Sequence, residues 1–119
     1  MNEKYLIQNG INYNEGLKRC LGKKDLYEKI LKAFVKDNIL TKAKKAMHEK
    51  NLTELKFCIH EIKGSSANMS LTSVYLPANE INNLLVEKKY TEEELINAFD
   101  NFSKSYSTAL MAIKKALSE

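Results

Sequence analysis

From Leu95 to Leu117, apolar side chains return every three or four residues: Leu95, Phe99, Phe102, Tyr106, Leu110, Ile113 and Leu117. A β-strand exposes one face at every second residue, so this spacing fits one face of an α-helix and no strand. Neither Gly nor Pro interrupts it. Its start is marked as well. Thr91 with Glu94 three residues on is a capping box, and Glu92 and Glu93 suit the positive end of a helix. A helix with one apolar stripe must bury it against other elements, so the rest of the chain has to supply partners.

The remaining segments supply them. Asn14 to Leu21 reads as a short helix stopped by Gly22. Asp25 is the expected N-cap of the next one, in which Leu26, Ile30, Phe34, Ile39, Ala43 and Met47 recur at helical spacing to about His48. Lys36-Asp37-Asn38 is where that long helix can bend. Asn51 with Glu54 opens a further helix, with Leu55, Cys58, Ile62, Ser66 and Met69 on its apolar side, ending near Ser70. Val74, Ala78, Ile81 and Leu85 form another stripe ending near Lys88. Pro77 lies inside it and either delays its start or kinks its first turns.

A single Pro and four Gly among 119 residues leave too little turn punctuation for an all-β or α/β chain. The expectation is all-α: one domain over residues 1–119, an antiparallel up-down four-helix bundle with a short extra N-terminal helix capping one end. Cys20 and Cys58 are far apart and sit in no metal-binding spacing, so neither a disulfide framework nor a metal site is expected. Cys58 is read as inert core filling and His48 as a cation at a helix C-terminus. No signal-peptide run and no membrane-length apolar stretch is present, which makes cytoplasmic the default address. The net charge of +4, from 19 Lys+Arg against 15 Asp+Glu, is spread along the chain and reads mainly as solvated helix faces.

The chemically informative stretch is His60-Glu61-Ile62-Lys63-Gly64-Ser65-Ser66-Ala67-Asn68. His60, Lys63, Gly64 and Ala67 fall opposite the apolar stripe, with Lys56 beside them. A mid-helix Gly costs about 1 kcal/mol relative to Ala. Each of these features is a common surface accident alone, and Gly64 alone could mark a close helix contact. Together they describe a nucleophile site. A neutral imidazole nitrogen attacks phosphorus competently near pH 7. Lys63, one turn on, favours the neutral imidazole before transfer and balances phosphate charge after it. Gly64 clears space for an incoming partner, and Ser65 and Ala67 keep the nearby surface low. Lys63-Gly64-Ser65 is no P-loop, since the preceding glycine spacing is absent, and no kinase or hydrolase signature occurs, so the chain has no ATP site of its own.

Over His60-x-x-Lys63-Gly64-Ser65-Ser66-Ala67-Asn68 the sequence resembles the histidine-containing phosphotransfer (HPt) domain family. More weakly, the resemblance extends through Gly10-Ile11, Gly16-Leu17, Gly22, Leu26-Tyr27 to Phe34 and Asp37, and Asn51 to Leu55. It implies a four-helix bundle in which His60 takes a phosphoryl group from one receiver-domain aspartate and gives it to another, the receiver supplying the acidic pocket and its Mg²⁺. It also places Asn82, on the next helix, near the imidazole. The sequence departs from the family pattern at Ser70-Leu71, where Gly-Ala is usual, at Pro77, and at Asn82, one methylene shorter than the usual Gln.

The expected partners are response-regulator receivers or a hybrid histidine kinase, with no cofactor, metal, nucleic acid or membrane, and the closed bundle suits a monomer. Docking is expected through Lys56, Phe57 and Ile59, the two apolar residues being partly exposed beside the His face. One competing reading is an HPt-like module that docks without carrying phosphate, against which the intact His60, Lys63 and Gly64 speak. Another is a basic helical nucleic-acid binder, against which the scatter of positive charge speaks.

Overall fold

The computed structural model describes all 119 residues as seven α-helices with no strand. Two short helices lead in, α1 (Glu3–Gln8) and α2 (Tyr13–Arg19). They are followed by α3 (Lys24–Lys36), α4 (Ile39–His48), α5 (Leu52–Asn68), α6 (Thr72–Glu87) and α7 (Glu92–Ser118). The bundle has four staves: α3 with α4, then α5, α6 and α7. The chain reverses between staves, α5 packs between α4 and α6, and α7 packs on α6 and α3. The expected all-α bundle is therefore present.

Asparagine side chains set several of the helix starts. The side chains of Asn2, Asn12 and Asn51 accept hydrogen bonds from the backbone N–H of Tyr5, Glu15 and Glu54, and Thr91 with Glu94 forms the complete capping box. Two helix starts change the expected layout. There are two short N-terminal helices rather than one, because Asn2 caps a first helix that buries Leu6. Asp25 is not the cap of α3. It lies in the first turn, after Lys23, where its charge still suits the helix dipole.

The long helix expected from Leu26 to His48 is broken, not bent. Asp37 is extended (φ −71°, ψ 137°), and its carboxylate accepts the Ile39 N–H at 2.9 Å, starting α4 afresh. Pro77, by contrast, breaks nothing. Thr72 opens α6 five residues earlier, and the first turn is held from outside: the Ser73 N–H donates to the Gly10 carbonyl at 3.0 Å, while the Pro77 ring is buried in the core.

One core runs through all seven helices. On α7 the buried line passes through Leu95, Phe99, Phe102, Tyr106, Ala109, Ile113 and Ala116, with Leu110 and Leu117 only half-buried at its edge. Helix α1 lies against α7, where Asn2 bonds Glu119 and the Lys115 ammonium sits 4.7 Å above the Tyr5 ring. No helix is long and apolar enough to cross a membrane.

Candidate functional site

Helix α5 carries the site, and its buried arc is wider than the sequence stripe. Leu55, Cys58, Ile59, Ile62, Ser66 and Met69 are all buried. Ile59, expected at a partly exposed docking edge, is completely buried and belongs to the core. The reason is geometric. At about 100° per residue, Ile59 lies between the directions of Ile62 and His60, on the side covered by α6, and a helix packed on both flanks must bury a broad face. Burial, and Glu54 next to it, push the Cys58 thiol up from its ordinary range, consistent with inert packing.

The outward ridge of α5 holds the rest of the expected set. His60, Gly64, Ser65, Lys56 and Phe57 are exposed, and Lys63 and Ala67 are half-buried. Phe57 precedes His60 by one turn and keeps 57 % of its surface in solvent, a large apolar side chain standing beside the imidazole. No other side chain or backbone group hydrogen-bonds either nitrogen of His60, and Lys56 and Lys63 form no ion pair. The hydroxyls of Ser65 and Ser66 bend back to the carbonyls of Ile62 and Lys63 at 3.3 and 3.2 Å, which keeps this turn low and self-contained.

Gly64 is the decisive detail. A Cβ built there meets no atom of the chain within 4 Å. Helix packing therefore does not explain the glycine, and its propensity cost of about 1 kcal/mol has no compensation inside the molecule.

Helix α6 flanks the ridge. Two clefts along the α5–α6 seam, of about 260 and 570 Å³, set Ser66 and Ala67 against Tyr75, and Lys56 against Leu85. In that antiparallel register Asn82 stands across from His60. It is half-buried and makes no hydrogen bond to the imidazole. On the other flank, α4 brings the Lys42 charge near Cys58.

The far end of α5 is fixed by contacts that the sequence reading did not find. The Tyr27 hydroxyl donates to the Met69 carbonyl at 2.7 Å, and burial pushes its phenol pKa well up. A Cβ at Gly16 would run into that hydroxyl, so only glycine fits there. Ser70 adopts φ +58°, the left-handed conformation that favours glycine, where the family pattern has Gly. It is held there by the Asn12 N–H on its carbonyl at 2.9 Å and by its own hydroxyl donating to Glu15 at 3.3 Å. The signal in sequence was the mid-helix Gly16, but its partner Tyr27 lies on another helix, and the Asn12 and Glu15 contacts of Ser70 span more than fifty residues.

The ridge is convex. A cavity of about 630 Å³ lies elsewhere, between α4 and the first half of α7. No group of three or more His, Cys, Asp or Glu side chains is arranged to hold a metal ion. A side chain on an outward helix face is placed to meet a group presented by another macromolecule, since small ligands are ordinarily taken into concave sites.

No family model matches the sequence, and no curated protein matches it significantly. Among solved structures, the crystal structure of the HPt domain from a Shewanella Hpt sensor hybrid histidine kinase superposes with a TM-score of 0.80. The two are 19 % identical, and the match covers 92 % of this chain and 95 % of that one. By this likeness, the chain has the fold of a histidine phosphotransfer domain.

Proposed function

We propose that residues 1–119 form a single histidine phosphotransfer domain that carries a phosphoryl group on His60 between receiver domains of a cytoplasmic two-component phosphorelay. The observation that carries this reading is the open space over Gly64 beside an exposed, unbonded imidazole: the helix gives up stability to leave room that nothing in the chain occupies. The HPt-like fold supports it.

In the forward step an imidazole nitrogen of His60 attacks the phosphorus of a receiver's aspartyl phosphate. The N–P bond forms as the acyl P–O bond breaks, and the receiver carboxylate leaves with the electron pair. The reverse of this step delivers the group to the next receiver. Lys63, one turn away and free of other partners, balances the charge that arrives. Gly64 admits the phosphoryl oxygens and the rim of the receiver. Asn82 orients the ring or holds a phosphoryl oxygen through a bridging water, its amide being short for direct contact. Phe57 supplies an apolar docking contact, and Lys56 draws an acidic partner surface toward the ridge. The chain acts as a phosphocarrier and not as an enzyme with its own ATP site.

The test is incubation with phosphorylated receivers from the same genome, followed by assay of acid-labile phosphate on the chain. The wild type should label and His60→Gln should not, with unchanged helicity. Labelling of the variant, at His48 or elsewhere, overturns the assignment.

A further inference from the structure

The bundle is closed along one half of its length and open along the other. Helix α3 packs on α7, but after the break at Asp37 helix α4 follows α5 and barely touches the first half of α7, where Leu95 and Phe99 are buried but Ile96 stays exposed. The gap is the cavity of about 630 Å³, within the range of specific binding sites. Its floor is apolar, formed by Met47, Tyr90, Leu95 and Phe99, and Leu52 and Ile96 stand at its mouth with 46 % and 42 % of their surfaces in solvent.

The two walls differ in charge. The α4 wall carries Lys44 and His48, and the α7 wall carries Glu92 and Asp100. At one end the Lys50 ammonium reaches Glu92 at 3.4 Å, tying the walls together, while Lys44 and Asp100 face each other's side of the groove without an ion-pair partner. The ten residues of α4 give the groove a length of about 15 Å, roughly three helical turns.

We infer that this groove is a second binding site, separate from the His60 ridge, and that its occupant is an amphipathic helix of a partner protein. Such a helix would restore the missing helix–helix contact. Its apolar stripe fills the floor, an acidic flank faces Lys44, and a basic flank faces Asp100. The opposed charges discriminate against uniformly basic or uniformly acidic helices, each of which meets one wall of its own sign. No residue of the proposed phosphotransfer ridge lines the groove, so occupancy does not block His60.

The probe is a stapled helical peptide of about 12 residues, with Leu and Ile at i, i+3, i+4 and i+7, Glu along one flank and Lys along the other. Two control peptides keep the apolar stripe and carry only Lys or only Glu on both flanks. Each is titrated into the isotope-labelled full chain and followed by NMR. The dipolar peptide should bind about tenfold more tightly than either control, the combined effect of two ion pairs, and shift amides of α4 and the first half of α7. Ile96→Lys should abolish the binding with unchanged helicity, and Asp100→Lys should remove the preference among the peptides. Equal affinity for all three peptides, no saturable binding, or shifts centred on His60 would overturn the inference. So would sedimentation showing a dimer that Ile96→Lys dissociates, since the groove would then be filled by a second copy of this chain.

Discussion

Two glycines on two helices, Gly16 and Gly64, sit in helix interiors for opposite reasons. Around Gly16 the space is filled: the Tyr27 hydroxyl occupies the place of the missing side chain and bonds the carbonyl that ends α5. Around Gly64 the space is empty. The cost of the first glycine is offset within the fold, whereas the second has no internal compensation. A glycine of the first kind reports on architecture. One of the second kind reports on something that arrives from outside.

Substitution should separate the two kinds, and the largest effect is expected at Gly16. Gly16→Ala pushes a methyl into the Tyr27 hydroxyl and breaks a buried hydrogen bond, so denaturant unfolding should show a loss of about 2–4 kcal/mol. A loss under about 0.5 kcal/mol would mean that Tyr27 has room to move and that the two sites differ less than the geometry indicates. At Gly64 the effects should fall on transfer. Gly64→Gln should slow phosphotransfer from one receiver on the order of 100-fold with little change in stability. Gly64→Ala should slow it less and raise stability by up to about 1 kcal/mol. Transfer by Gly64→Gln at the wild-type rate would remove the reason given for that glycine.

The neighbours of His60 extend the same contrast at smaller scale. Phe57 and Ile59 are both large, apolar and close to the imidazole in sequence, yet one is exposed and the other buried. Phe57→Ala should weaken receiver binding roughly tenfold while leaving the melting temperature in place. Global unfolding of that variant would place Phe57 with Ile59 in the core. Smallest is the effect at Asn82: Asn82→Ala should lower the transfer rate by less than about tenfold, because water can take over a bridged contact, and Lys63→Ala should cost more. Transfer rates measured under matched conditions give the ranking. The reverse order would make ring orientation more important than charge balance.

Periodicity alone was enough to read the all-α class, the stripe of α6, most of the stripes of α5 and α7 and the Thr91 start, since these depend on residues within a turn or two of one another. The outward position of His60, Lys63 and Gly64 was legible for the same reason: a helix fixes the relative direction of its own side chains. Neighbouring elements decided the rest. Ile59 is buried because α6 covers its side of α5. Ala109 is fully buried while its larger neighbour Leu110 stays at the edge of the core. The polar run at Asp37 becomes a full break because its extended backbone ends α3 and its carboxylate takes the Ile39 N–H at the start of α4. The empty space above Gly64 and the open groove between α4 and α7 are likewise properties of what is absent nearby. A sequence states which side chains a helix carries and in which directions they point. Whether anything stands opposite them depends on packing between residues far apart in the chain, and only the tertiary structure settles that.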